Sequence, residues 1–336
     1  MADSRVHRGQ RSVESTSSAI TLANRWDHFL ARWGVKRNQH VVEPGLYALG
    51  NPRADSPVFV TANYTLSFDA LRSALAGIDG YIMVLDTKGI NVWCAAGKGT
   101  FGTDELVHRI EATGLHNVVS HRVLILPQLG ATGVAAHEIL RRSEFTVEYG
   151  PIRAADLPEY LKTHRATPEM RQVRFNLLDR VVLIPVELVH VLLPMAIAAV
   201  VLFFVGGLFA SVAAVAAILA GGVLFPILLP LLPTSDFSVK GFILGGMVAL
   251  PFVLTILMGN PAVAWWLRVG EGLIFPLAMP PVTAYLALNF TGSTPLTSRS
   301  GVRREIFTYT PIMAWMFGTS IILAIAFILI RGWGGV

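Results

Sequence analysis

The stretch YIMVLDTKGINVWCAAGKGTFGTDEL, residues 81–106, decides the fold class, because it reads as strand, loop and helix start in succession. YIMVLDT (81–87) is short, apolar and closed by turn residues, which is the pattern of a strand. TDELVHRIEAT (103–113) has helical spacing, with Thr103 as the expected N-cap and Asp104 and Glu105 set against the helix dipole. Outward from this unit the alternation repeats. PVFVTAN (57–63) is a strand, and SFDALRSALAGI (67–78) a helix with Ser67 as the expected cap. HRVLILP (121–127) and FTVEYG (145–150) are strands, while GVAAHEILRRS (133–143) and ADLPEYLKT (155–163) are helices. Such alternation predicts a Rossmann-like α/β domain with a mainly parallel sheet and helices on both faces. Ligands in such folds sit beyond the carboxyl ends of the strands. Three segments land there: ANYT (62–65), DTKGINVWCAAGKGT (86–100) and QLGATG (128–133). RWDHFLARW (25–33) reads as an amphipathic helix, and the first twenty residues as disordered.

The remainder of the chain is of another kind. Hydrophobic residues make up 53% and charged residues 15%, and the mean hydropathy is +0.55, too apolar for an ordinary soluble protein. Only ten of the Lys, Arg, Asp and Glu residues fall after residue 181. The expected organisation is an N-terminal extension (1–54), a soluble α/β domain (55–165), a linker (166–183) and an all-α transmembrane domain (184–336). Five apolar stretches, near 184–206, 208–232, 240–259, 267–290 and 309–330, are long enough to cross a bilayer. Arg171, Arg174 and Arg180 precede the first, Lys240 follows the second, and Arg299, Arg303 and Arg304 follow the fourth. The positive-inside rule then sets the soluble domain in the cytoplasm of an inner membrane, with the C-terminus outside. The N-terminal residues contain no apolar h-region, which agrees with that placement. Arg268 and Glu271, spaced i,i+3, are expected to pair. The net charge of +5 forms no basic stripe, so nucleic acid is not an expected partner.

Cys94 is the chain's one cysteine, which excludes an internal disulfide and a four-thiolate iron–sulfur cluster. As a free thiol it can be a small buried hydrophobe. AAGKGT fails as a phosphate loop, since Val92 and Gly99 stand where that template needs Gly and Ser or Thr. A Cys–His nucleophile lacks a local base; the nearest histidine in sequence is His108. If 90–98 is a short helix, Asn91, Cys94 and Lys98 share one stripe. Ala95, Ala96 and Gly97 leave that helix almost bare, so that it can press against a flat macrocycle while one sulfur projects to a metal.

NVWCAAGK resembles the cap-helix motif of the mercury-methylating corrinoid protein family, N-(V/I)-W-C-A-(A/G)-G-K, without mismatch. VLDTKGI, GTFGTDEL, HRVLILPQLGATGVAAHE and TVEYGPIRAADLP look like that family too, and the resemblance covers nearly all of residues 55–336. The α/β domain is also similar to the corrinoid domain of the corrinoid iron–sulfur protein of the acetyl-CoA pathway. The resemblance implies a cobalt corrinoid (cobamide) held at the strand ends, with Cys94 as lower axial ligand to cobalt and catalytic residue. It implies methyl transfer from the cofactor to Hg(II), giving methylmercury. A corrinoid methyl carrier for another acceptor and a membrane transporter with a regulatory cytoplasmic domain are the competing readings.

The residues expected at the cofactor are Asn63, Thr65, Asn91, Val92, Cys94, Ala95, Gly97, Lys98, Gly99, Gln128, Gly130 and Gly133. Asn91 either hydrogen-bonds the thiolate or ring, or caps the helix. Lys98 either meets the edge of the corrin or solvates the helix end. Trp93 is expected to pack. QLGATG either lines the macrocycle by close backbone approach or is a plain loop. The implied partners are a ferredoxin-like iron–sulfur protein, as reductant and Hg(II) donor, and a methyl donor protein or methyl-tetrahydrofolate system.

Overall fold

The computed structural model describes residues 13–36 and 39–334. The expected disorder of the first twenty residues falls mainly on 1–12, outside the described residues. The chain divides into two compact units, Met1–Arg174 and Phe175–Val336.

Among the described residues the first unit is built on six strands: β1 (Glu14–Thr16), β2 (Gly45–Leu49), β3 (Val58–Ala62), β4 (Gly80–Leu85), β5 (Val123–Leu126) and β6 (Thr146–Tyr149). Their order is β1-β2-β4-β3-β5-β6. The pairs β4–β3, β3–β5 and β5–β6 are parallel, and β2 runs antiparallel to β4. Every residue of β3 and β4 is buried, which is why both read as unbroken apolar runs rather than as alternation. The two strands that the sequence reading did not anticipate, β1 and β2, lie in the stretch assigned to an extension. β2 pairs Gly45–Leu49 with Leu49↔Gly80 through Gly45↔Val84, so the sheet begins well before residue 55.

The helices of this unit are α1 (Leu22–Arg32), α2 (Thr65–Ala74), α3 (Val92–Lys98), α4 (Thr103–Thr113), α5 (Leu115–Val118), α6 (Ala136–Ser143) and α7 (Leu157–Thr163). They cover both faces of the sheet. Leu46, Val60, Met83 and Leu124 join Ala95, Leu106, Ile110 and Ile139 in one core, on the side of α3, α4 and α6. Phe59, Ile82 and Val84 join Phe68, Leu71 and Leu157 in the other, on the side of α2 and α7. Two expected caps are corrected. α2 starts two residues before Ser67, after Tyr64, and α4 is preceded by Gly102. The Thr103 hydroxyl instead accepts the Ala135 N–H at 2.9 Å, which ties α4 to the start of α6.

The second unit holds α8 (Leu177–Val181), α9 (Ile184–Leu219), a π-helical turn (Ala220–Leu224), α10 (Phe225–Leu228), α11 (Phe237–Leu257), α12 (Trp265–Asn289) and α13 (Arg299–Gly334). Among the described residues four helical runs are long and apolar enough to cross a membrane: Leu177–Leu228, Phe237–Leu257, Trp265–Ser293 and Arg299–Ile330. The expected number was five. The first two expected stretches have no polar linker between them, so they form one run of 52 residues. That run is not straight. Gly207 leaves helical geometry (φ 72°, ψ −173°), and Val191 Cγ2 lies 3.7 Å from where a Cβ on Gly222 would sit. In a straight helix those two positions would be roughly 46 Å apart, so the run folds back on itself.

α11 lies close against α12, because Gly241 and Gly245 are spaced four apart and face it. A Cβ at Gly245 would stand 2.5 Å from Pro280 Cα and 2.9 Å from Thr283 Cβ. The buried Glu305 of α13 closes the N-terminus of α11. Its carboxylate accepts the Ser238 N–H and hydroxyl at 2.8 and 2.9 Å and the Phe237 N–H at 3.2 Å. An anion is thereby held at the positive end of a helix by three donors. Arg180 does the complementary work, donating to the Pro226 and Ile227 carbonyls. Arg268, expected to pair with Glu271, donates to the Leu257 carbonyl at 2.9 Å.

Candidate functional site

The site is built at the carboxyl ends of β3, β4 and β5. β3 is followed by β4 on one side, and β5 lies on its other side, so the gap between β3 and β5 is the point where strand order reverses. A cleft of about 300 Å³ opens there, lined by Val60, Thr61, Leu126, Pro127, Asn91 and Trp93 among others.

α3 stands over this edge, and its ends follow from its sequence. The Asn91 side chain accepts the Cys94 N–H at 2.9 Å, a helix N-cap worth about 1 kcal/mol. Of the two readings left open for Asn91, the cap is the one the geometry contains. Gly99, at φ 82°, terminates the helix in the left-handed region that glycine tolerates best. Val92, Ala95 and Ala96 are buried beneath, while Asn91, Gly97, Lys98 and Gly99 are exposed and Cys94 is half-buried. The outer stripe of α3 is thus a nearly bare ridge with one thiol. Trp93, expected to pack, is 37% exposed at the rim of the cleft.

The loop that delivers α3 is held by groups that the sequence reading assigned to the ligand or overlooked. Buried Asn63 spends its side-chain oxygen on the Thr87 N–H (3.0 Å), the Thr87 hydroxyl (2.8 Å) and the Gly89 N–H (3.0 Å). The Thr65 hydroxyl donates to Asp27 at 2.7 Å. Asp86 accepts the Lys88 N–H at 3.0 Å and pairs with Lys88 Nζ at 2.7 Å. Burial pushes the Asp86 carboxyl up, but the hydrogen bonds and charge of Lys88 outweigh it and hold it below its usual range. Glu105 accepts the Asp86 N–H at 2.8 Å and is itself anchored by Arg109 at 2.6 Å. The signal for this cluster was present in DTKG (86–89), a turn sequence with an acid and a base two apart, but the carboxylate of Glu105 comes from another element.

QLGATG forms a short 3-10 turn (Gln128–Gly130) that packs against α3. Its glycines approach protein, not an open face. A Cβ on Gly130 would stand 2.6 Å from the Phe101 ring, and one on Gly133 would stand 3.0 Å from Ala96 Cα and collide with the Phe101 carbonyl. Gln128 differs. Its Oε1 is buried and has no hydrogen-bond partner, an uncommon and costly condition that a bound polar group would relieve. A bare helix ridge with one accessible thiol, next to an orphaned amide oxygen, fits a large planar group with polar edge substituents. Among the described residues no group of three or more His, Cys, Asp and Glu could hold a metal ion by itself. Any metal here would bring most of its own ligands.

The fold and this edge define a class: an α/β unit with a cleft at its strand ends, joined in one chain to apolar helices. Comparison with known proteins adds the particular likeness. The family described as CO dehydrogenase/acetyl-CoA synthase delta subunit matches residues 36–154. Acetyl-CoA decarbonylase/synthase complex subunit gamma of Methanopyrus kandleri is 34% identical over 128 residues, 38% of this chain and 27% of that protein. The subunit gamma of Archaeoglobus fulgidus is 39% identical over 92 residues, 27% of this chain and 20% of its own. That of Methanothermobacter thermautotrophicus is 27% identical over 172 residues, 45% and 37%. The chain therefore spans about a fifth to two fifths of these relatives, and the long apolar helices lie outside the family match. The relatives are subunits of a multi-subunit enzyme complex.

These findings correct the expected mercury methylation and the family on which it rested. The matched names are acetyl-CoA decarbonylase/synthase and CO dehydrogenase/acetyl-CoA synthase subunits, and none of them concerns mercury or a corrinoid iron–sulfur protein. The physical reason is that the motif describes a helix and its cap, which fixes how a ligand is held and not what receives a group from it.

Proposed function

We propose that the first unit is a corrinoid-holding module of an acetyl-CoA decarbonylase/synthase type of enzyme assembly, and that the second unit anchors it in a membrane. The observation that carries the reading is α3: a capped seven-residue helix at the strand ends, inside the family match, with Cys94 on a ridge that has almost no side chains. Asn91 keeps the first turn of α3 in place, so that the sulfur of Cys94 is presented at a fixed height. Cys94 would hold the group's metal through its sulfur, and the side-chain-free Gly97 and Gly99 on the exposed ridge would let the group lie close, while Ala95 and Ala96 seat the helix on the core. Gln128 would meet an amide of the ring edge, and Lys98 a polar group at its periphery. When bound, a corrinoid supplies a cobalt centre able to carry a one-carbon group.

In this reading the chain crosses the bilayer five times, with Gly207 as the reversal between the first two crossings and the first unit on the cytoplasmic side. The protein partners follow from the chemistry. A chain with one thiol cannot hold an iron–sulfur cluster, so a ferredoxin-like protein would supply electrons. A methyl-tetrahydrofolate system or methyl donor protein would supply the one-carbon group.

The test is the visible spectrum of the full-length protein loaded with cobamide, beside Cys94→Ala. Thiolate ligation predicts a shifted corrinoid band in the parent that is lost in the variant, with circular dichroism unchanged. Identical spectra would remove Cys94 from the metal, and absence of bound corrinoid from both would remove the cofactor.

A further inference from the structure

α1 is amphipathic in reverse. Its inward side is polar: His28 Nε2 meets Asp69 at 2.7 Å, and Asp27 binds the Thr65 hydroxyl and His40 Nδ1, each at 2.7 Å. Its outward side carries Leu22, Trp26, Phe29 and Trp33, spaced i, i+4, i+7 and i+11 along one stripe. Leu22 is 82% exposed, Trp26 61% and Phe29 47%. The rings form a continuous strip, Trp26 on Phe29 at 5.3 Å and Phe29 by Trp33 at 5.9 Å. A surface helix ordinarily buries such a stripe and wets its polar side. Here hydrogen bonds hold the polar side to the unit and leave the aromatic side outward.

We propose that α1 is an interfacial helix that lays this stripe into the headgroup boundary of an anionic lipid surface. Tryptophan and phenylalanine with basic residues at the rim are the composition favoured at that depth. Arg25 and Arg32 are exposed and border the stripe, and the single acid of α1, Asp27, is turned inward to Thr65 and His40. The charge presented outward is therefore of one sign and complements anionic lipid. The sequence of residues 1–12, MADSRVHRGQRS, is a poor alternative cover, being polar and carrying three more arginines. The inference rests on the reading that the second unit spans a bilayer, which also makes the lipid encounter intramolecular in effect.

The experiment uses the full chain in a Cys94→Ala background, reconstituted in phosphatidylcholine vesicles with and without phosphatidylglycerol. A nitroxide is attached at Leu22→Cys, with Glu111→Cys on exposed α4 as an aqueous reference and Ile322→Cys on α13 as a membrane reference. The expected result is a severalfold rise in the oxygen to nickel-chelate accessibility ratio at position 22 over position 111. The rise should be greatest with phosphatidylglycerol and lost when Arg25→Glu and Arg32→Glu are combined. A ratio at 22 equal to that at 111 overturns the inference, and shielding at 22 from both reagents overturns it in favour of a protein cover. An aqueous ratio at 322 overturns the membrane reading itself, and this inference with it.

Discussion

Asn63 and Thr87 are joined twice: the side-chain oxygen of Asn63 accepts both the Thr87 N–H at 3.0 Å and the Thr87 hydroxyl at 2.8 Å. The contact links the carboxyl ends of two adjacent parallel strands, β3 and β4, and sets where the chain leaves for α3. Both residues are buried. Asn63→Ala leaves these donors without an acceptor, and a loss of about 2–4 kcal/mol in stability is expected. Asn63→Asp keeps the acceptor but buries a carboxylate against Asp86, to which the Asn63 amide donates at 3.4 Å, so it should not restore the parent at neutral pH. Hydrogen exchange at the Thr87 and Gly89 amides, with thermal denaturation alongside, measures both.

The Asn91 cap gives a gentler and more local prediction. Asn91→Ala should cost about 1 kcal/mol, while Asn91→Ser, another good cap, should nearly restore the parent. Mass-spectrometric exchange over residues 92–98 reads this directly. If the alanine variant exchanges no faster than the parent, the cap does not hold α3.

Gly133→Ala places a methyl group against the Phe101 carbonyl and 3.0 Å from Ala96 Cα. Both neighbours are backbone and neither can turn away, so a loss of about 1–3 kcal/mol is expected. Gly99→Ala, where the glycine Cβ position meets nothing within 4 Å, should show only the smaller penalty of a left-handed alanine, about 1 kcal/mol. Melting temperatures of the two variants should rank in that order.

The Asp86 turn should depend on pH in one direction. The folded carboxyl titrates below its ordinary 3.8 because the bonds and charge of Lys88 outweigh the effect of burial. A depressed acid contributes stability above its unfolded pKa and loses that contribution as pH falls through the folded value. The protection factor of the Lys88 amide, its exchange rate divided into the intrinsic rate at each pH, should therefore be flat from neutrality down to about pH 4 and fall only in stronger acid. Lys88→Met should move the onset upward.

In the second unit, Glu305→Ala would strip the N-terminus of α11 of its acceptor. Three donors within 3.2 Å would be left in a buried place, and a drop of about 2–4 kcal/mol in detergent is expected. Glu305→Gln, which retains an acceptor oxygen, should fall between, as thermal melts in detergent would report.

Much of the fold was legible before any coordinates. β3, β5 and β6 fall inside three of the expected strands and β4 overlaps the fourth, starting one residue earlier at Gly80, because buried parallel strands are short apolar runs bounded by turn residues. The turn of helix at 92–98 and its cap were legible because Asn, small residues and Gly at those places have local causes. β1 and β2 were not. Each is defined by pairing with a distant strand, β2 by its antiparallel register with β4, and neither has a strong periodicity of its own. The break at Gly207 was legible too, since the first two expected apolar stretches stop at 206 and resume at 208, but only packing shows that the run folds back there. In QLGATG the neighbours of Gly130 and Gly133 are Phe101 and α3, contacts that no local pattern names.

What the sequence by itself determined was local: where strands and helices start, that apolar helices follow a charged half, and that a single thiol sits on a bare helical turn. These depend on residue spacing and on caps within a few positions of each other. What only the tertiary structure decided was which groups are already occupied. Asn63 turned out to hold Thr87 and Gly89, Glu105 to hold Asp86, and the polar side of α1 to face inward, leaving its aromatic stripe outward. Hydrogen bonds between residues 13 to 41 positions apart set these roles, and no local pattern encodes a partner at that distance.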